Sequence, residues 1–208
     1  EYQQKALTLL TIALPENHPD LATIHNNVGI AYGDLGDIST SLQHLQKAVC
    51  IHEQNPKVDQ IVLAQAYSNL GLCYADCDDY NCAIKYLNKA MAILDNTDNC
   101  DYHELLILHN NLGGIYCSIG DRQKALSHQL KCIEILETTP LNNHPDSASI
   151  YHNIAMTFAY LNNLLDALLF EKKALAIAEQ FYPSHNHHIT IPKQNIGYIE
   201  KVLNSSKK

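Results

Sequence analysis

The chain has 208 residues and a formal net charge of −8, from 14 Lys and Arg against 22 Asp and Glu. That balance argues against nucleic acid as the main partner, because phosphate binders carry a basic stripe. No apolar run is long enough to cross a membrane, and no secretory signal is present. Glu1 falls inside a helical pattern without an initiator Met, which suggests a piece of a longer protein whose targeting signals are missing.

Apolar periodicity predicts helices over 1–14, 20–35, 38–54, 60–77, 80–95, 102–119, 122–137, 146–161, 164–181 and 189–204. In the second, Leu21, Ile24, Val28, Tyr32 and Leu35 keep helical spacing. Gly36 then Asp37 supplies a stop and an N-cap. The next helix carries Leu42, Leu45, Ala48, Val49 and His52 on its periodic face. The same punctuation recurs at Asp78-Asp79, Gly120-Asp121 and Asn162-Asn163, while 15–20 and 140–146 read as turn-rich connectors.

A period of 42 residues runs through these elements: Asn27, Asn69, Asn111, Asn153 and Asn195 occupy one register. Gly29, Gly71, Gly113 and Gly197 follow two places later, with Ala155 in the remaining slot. Rings recur at Tyr32, Tyr74, Tyr116 and Phe158, and lysines at Lys5, Lys47, Lys89, Lys131 and Lys173. Glycine costs about 1 kcal/mol in a helix interior relative to Ala, so its return predicts a close helix crossing. Each helix pair leaves an apolar face that the next pair buries, which makes a solenoid. No linker interrupts the period. The chain reads as one array, with part of a repeat at 1–19, full repeats at 20–59, 60–101, 102–145 and 146–187, and a partial or capping repeat at 188–208.

The pattern His25-x2-Val28-Gly29-x2-Tyr32, repeated as Tyr67-x2-Leu70-Gly71-x2-Tyr74 with Ala83-x3-Leu87, resembles the tetratricopeptide repeat. His109-x2-Leu112-Gly113-x2-Tyr116 with Ala125 continues it, and Tyr151-x2-Ile154-Ala155-x2-Phe158 with Ala167 is a weaker copy. The usual repeat has about 34 residues. The longer period, the cores at Asn26-Asn27-Val28-Gly29 and Asn110-Asn111-Leu112-Gly113, and His-Pro-Asp at 18–20 and 144–146 resemble the kinesin light chain type. The implied fold is all-α, a right-handed superhelical solenoid of antiparallel helix pairs. The implied function is a non-enzymatic scaffold holding an extended peptide in a concave groove lined by the first helix of each pair.

Helical geometry places Thr23, Asn27, Ile30 and Asp34 on one stripe, away from the glycine face. The resemblance puts that stripe in the groove and gives the five column asparagines the role of holding a peptide backbone. The alternative is that each Asn bonds a neighbouring helix and only staples the stack. Groove candidates also include Asn26, Asn110, His152, Leu72, Asp76 and Tyr160. The twenty-five positions of the columns starting at Thr23, Asn26, Asn27, Ile30 and Asp34 contain no Lys or Arg. Such a groove lacks the basic clamp that acidic tails need, so a neutral or basic peptide with apolar anchors fits better.

Seven cysteines at irregular spacing read as buried free thiols in a reducing, cytoplasmic compartment. The histidines of Ser184-His185-Asn186-His187-His188 lack a full ligand set and read as a polar connector, so no metal or cofactor is expected. The lysine column reads as a solvated face. No phosphate loop, nucleophile elbow or HExxH is present. Two other functions stand open: a structural or self-association module, and an accessory domain of a larger enzyme. Ile191, Ile196, Ile199, Val202 and Leu203 lack a following helix to cover them, which predicts further repeats or end-to-end association.

Overall fold

A computed structural model describes residues 2–55, 57–96 and 102–205. Cys100 and the Ser206–Lys208 tail lie outside these described residues. The elements in order are α1 (Tyr2–Ala13), α2 (Pro19–Asp34), α3 (Ile38–Glu53), α4 (Gln60–Asp76) and α5 (Tyr80–Leu94). They continue as α6 (Tyr102–Ser118), α7 (Arg122–Thr138), a 3-10 turn (Pro140–Asn143), α8 (Pro145–Tyr160), α9 (Leu164–Phe181) and α10 (His187–Ser205). The described residues contain no strand. The chain divides into two compact units, Glu1–Asp101 and Tyr102–Lys208, and the division falls at a repeat boundary.

Tight corners make antiparallel pairs of α2 with α3, α4 with α5, α6 with α7, and α8 with α9. Gly36 and Gly120 take positive φ (79° and 80°) at two corners, and Asp78 and Asn162 do so at the others (60° each). The next residue then caps the following helix: Asp37 accepts from Thr40 N–H, Asp79 from Cys82, Asp121 from Lys124 and Asn163 from Asp166. Two caps differ from the connector reading. His18 and His144 are N-caps whose Nδ1 accepts from Asp20 N–H (3.2 Å) and Asp146 N–H (3.3 Å), with Pro at the first helical position.

The small-residue column does the work its recurrence implies. A Cβ on Gly29 would lie 2.7 Å from Leu45 Cγ, and one on Gly71 2.9 Å from Leu87 Cγ. Both contacts are too short for a side chain, so α3 and α5 cross their partners at backbone distance. Gly197 departs from the column, since nothing in the structure lies within 4 Å of its would-be Cβ. In the first unit α4 packs on both α2 and α3, and in the second α8 packs on both α6 and α7. Leu21, Val28, Leu45, Leu70 and Leu87 fill the first core; Leu108, Leu112, Leu136, Ile154 and Ile189 fill the second.

Rings cross each helix pair at a constant register. His25 and Tyr32 flank His44, Tyr67 and Tyr74 flank Tyr86, His109 and Tyr116 flank His128, and Tyr151 and Phe158 flank Phe170, with centroids 5.0–6.1 Å apart. In two of the pairs the outer contact is histidine on histidine: Nδ1 to Nδ1 is 2.8 Å for His25–His44 and 2.9 Å for His109–His128. One ring must donate and the other accept. Burial pulls the pKa of both His25 and His109 down to about 4, helped by the facing imidazole.

The lysine column is exposed at Lys5, Lys47 and Lys131, and its other two members also pack on neighbours. Lys89 pairs with Glu53 at 2.9 Å and sits 4.6 Å over the Tyr67 ring, and Lys173 covers Phe170 at 5.1 Å. The thiol expectation also needs correction. Cys73 and Cys132 are buried and free, and burial pushes the Cys132 thiol up to about 12, but Cys50 and Cys77 are exposed. The C-terminal helix is better covered than its apolar residues implied, because Ile199 and Ile189 bury against the preceding pair, while Ile191 stays exposed.

Candidate peptide-binding site

In the first unit the outward stripe of α2 meets that of α4. Ile30, Asp34, Asn69, Leu72 and Asp76 line one pocket of about 210 Å³, floored by Leu45. Five sequence-predicted residues are therefore brought together. Burial raises the pKa of the Asp76 carboxyl, so this rim holds an incompletely solvated carboxylate.

The second unit repeats the arrangement three repeats later, between α8, α9 and α10. Met156, Asn195, Tyr198 and Ile199 take the places of Ile30, Asn69, Leu72 and Cys73, around a pocket of about 430 Å³. The floor differs: Glu171 replaces Leu45, and it is 1% exposed. His152 Nδ1 lies 3.0 Å and 3.2 Å from the two Glu171 oxygens, and Asn195 Nδ2 donates to Oε1 at 2.6 Å. Glu171 was not among the residues expected from sequence. Its signal was available, since the register 45, 87, 129, 171 reads Leu, Leu, Gln, Glu.

The asparagines are engaged between repeats. Asn69 Nδ2 donates to Asn26 Oδ1 and Asn153 Nδ2 to Asn110 Oδ1, both at 3.1 Å. These bonds are the stapling alternative, made by the Asn of one repeat and the residue beside the column Asn of the previous one. Asn69 and Asn195 nevertheless line pockets, and with an N–H of each Nδ2 engaged their Oδ1 atoms are acceptors to offer a ligand. Asn27 is exposed, and Asn111 Nδ2 is buried with no hydrogen-bond partner.

Tyr160 lies apart from the pocket lining, half exposed, with the Arg122 guanidinium 5.0 Å over its ring. A cation from α7 thus reaches the stripe, although the stripe's own columns contain none. His187 and His188 are in the first turn of α10 rather than in a connector, with rings 4.0 Å apart and His188 N–H capped by Asn186. Among the described residues one group could hold a metal: His103 Nε2 and His144 Nδ1 lie 3.1 Å and 3.4 Å from Asp146 Oδ2. Sequence reading passed over this set, because His103 is some forty residues from His144 and Asp146 in the chain. His144 Nδ1 is already the N-cap acceptor of α8, which competes with ligation.

Models of the tetratricopeptide repeat match residues 21–55, 62–138 and 104–180, the last two together covering more than half of the chain. The chain belongs to the tetratricopeptide repeat family. Solved structures share the fold: BtubC (BKLC) from P. vanneervenii superposes with a TM-score of 0.78 at 17% identity, covering 96% of this chain and 80% of that one. The near-identical repeats of a putative kinesin light chain from Podosopora anserina give 0.75 at 16%, covering 91% and 90%. Aspartyl phosphate phosphatase F from Bacillus subtilis gives 0.76 at 16%, covering 99% of this chain and 54% of that one. At such identities the likeness concerns the fold alone. No curated protein matches the sequence. No helix among the described residues is long and apolar enough to cross a membrane.

Proposed function

We propose that this tetratricopeptide array, read as one domain over 1–208, is a non-enzymatic scaffold that binds an extended peptide segment of a partner protein along its first-helix faces. The observation that carries the reading is the recurrence of one pocket at one register in each unit, walled by apolar side chains and a column Asn. Pockets that recur at one register, three 42-residue periods apart, suit a repeating ligand, and an extended strand repeats its side chains every second residue. Asn69 and Asn195 offer amide oxygens to peptide N–H groups. The carboxylates Asp34, Asp76 and Glu171 make neutral or basic peptides the better match.

The test is a peptide array with segments of about a dozen residues, each extending about 3.3 Å per residue. The best binder is then titrated calorimetrically against Leu72→Arg and Tyr198→Arg. Both side chains reach the pocket walls without filling the core, so the fold should survive. Each substitution should weaken binding by about tenfold or more, the scale set by introducing a like charge beside a cationic ligand. Acidic peptides as the best binders, or unchanged affinity in both variants, would sink the reading.

A further inference from the structure

We infer that the pocket over Glu171 is an anchor for one cationic side chain, a lysine or arginine of the bound segment, and that it fixes the ligand's register on the second unit. The inference rests on the peptide-binding reading above and names the chemistry of one subsite.

Glu171 stands where Leu45, Leu87 and Gln129 stand in the preceding repeats, and all four are at most 2% exposed. An apolar side chain is the natural occupant, packed under the small-residue column. Burying a carboxylate there is costly unless it is compensated by opposite charge and hydrogen bonds. The protein supplies two donors, His152 Nδ1 and Asn195 Nδ2. A carboxylate offers about four acceptor sites, and Oε2 receives only the longer share of the His152 contact, at 3.2 Å.

The cations of the same helix are committed elsewhere: Lys172 pairs with Glu200 at 2.8 Å, and Lys173 with Glu137 at 4.0 Å. Among the described residues His152 is the single group in contact with Glu171 that can become positive, and it lines the neighbouring pocket with Ser149, His187 and His188, not the one formed by Met156, Tyr198 and Ile199. The pocket side of the carboxylate therefore has dipoles and no charge.

The walls match the rest of a long cationic side chain. Met156, Leu164 and Ile199 can cover an aliphatic stem, as basic side chains do when only their tips are polar. Tyr198 is 69% exposed at the mouth, where its ring face can receive a guanidinium or ammonium group. The first-unit pocket lacks this design. Its floor is Leu45 and its carboxylates, Asp34 and Asp76, lie on the rim, so it accepts an apolar anchor with charge outside. Two pockets of one register thus differ in what they accept at depth, and a segment sliding by one repeat would put its cation over the uncharged Gln129.

The test uses the 208-residue chain, isotope-labelled, at about pH 8, above the ordinary histidine range. N-acetyl-arginine methylamide is titrated against its neutral isostere N-acetyl-citrulline methylamide, with Met156 methyl and Asn195 side-chain signals as readout. The arginine compound should give saturable shifts at both, and citrulline none. Glu171→Gln, which copies Gln129, should fold normally and weaken the arginine response by about tenfold, the scale of a charged hydrogen bond. Equal responses to the two compounds, no response to arginine, or an unchanged response in Glu171→Gln would each overturn the inference. If array peptides bind while the arginine compound does not, the anchor fails and the scaffold reading stands. Should the arginine compound saturate the pocket while no peptide binds, the anchor survives and the extended-peptide reading fails.

Discussion

The two histidine pairs should make this protein acid-labile, and their removal should cure it. His109 titrates at about 4 in the folded chain because burial and the His128 imidazole 2.9 Å away oppose its protonation, with Lys131 adding to the effect and Glu134 opposing it. An unfolded histidine takes its proton near 6.5. The folded pKa lies below the unfolded one, so the unfolded chain binds more protons between these values and stability decreases as the pH is lowered through them. Above 6.5 the contribution is fully present, and below about 4 it is fully lost. At about 1.4 kcal/mol per tenfold, the whole window is worth about 3 kcal/mol for His109, and about 2 kcal/mol has gone by pH 5. His25 faces His44 in the same way and is also held at about 4, with Lys47 as the nearby cation.

The perturbation copies a solution the protein already uses. His109→Tyr with His128→Phe transplants the stacked Tyr151–Phe170 pair, whose centroids are 6.1 Å apart. Urea unfolding at pH 7.5 should show little change, since apolar rings of similar shape replace neutral imidazoles. At pH 5 the variant should exceed the parent by about 2 kcal/mol. Making the same exchange at His25 and His44 should give a second step of similar size. Histidine carbon–proton spectra provide the direct check, because His25 and His109 should stay neutral well below pH 6. A variant whose loss between pH 7.5 and pH 5 equals the parent's would refute the assignment of acid lability to these rings.

Other outcomes follow from particular contacts. Gly29→Ala should destabilise by about 1–3 kcal/mol, because its Cβ would meet Leu45 at 2.7 Å, whereas Gly197→Ala should stabilise by up to about 1 kcal/mol, its Cβ meeting nothing within 4 Å. Thermal melts of both variants read the difference, and equal signs would contradict the close-crossing account. Asn69→Ala and Asn26→Ala should each cost about 1 kcal/mol, and the double variant little more than either, since one 3.1 Å bond is shared; additive losses in urea titrations would show that the bond is idle. Chelation should leave the melting curve unmoved, because His144 caps α8 through the nitrogen a metal would need; a lower melting temperature with chelator would reverse this. Leu9 and Ile12 are 69% and 81% exposed on α1, so Leu9→Glu/Ile12→Glu should reduce any light-scattering evidence of self-association, and no change would place that contact elsewhere.

Helix positions were legible to within one or two residues because the corners advertise themselves. Each places a residue tolerant of positive φ before a short polar cap, from Gly36-Asp37 to Asn162-Asn163. The close crossings were equally legible, since glycine at one register in four of five repeats has few other causes. Pairings between helices were less so. His25 with His44 and Tyr67 with Tyr86 are nineteen residues apart, a spacing that means contact only once the hairpin angle is known. The Asn26–Asn69 bond needs the stacking of successive repeats as well. Periodicity within one helix contains neither quantity. Exposure of Cys50 and Cys77 was misjudged because a thiol is equally at home in core and surface columns.

Function in an array is to be sought where a column breaks. A residue that repeats at 42-residue spacing answers the demands of stacking, which are the same in every copy. Glycine under Leu45 and Leu87, and rings across each pair, are of this kind. The exchange of leucine for Gln129 and then Glu171 in a buried column answers no stacking demand, because leucine packs there at no electrostatic cost. Gln129 is fully buried with neither amide atom bonded, and Glu171 retains unused acceptor capacity beside a pocket. Polar groups buried short of partners lower the stability of the repeats that contain them. At Glu171 the bonds to His152 and Asn195 return part of that loss, and a cationic ligand side chain would recover more of it on binding.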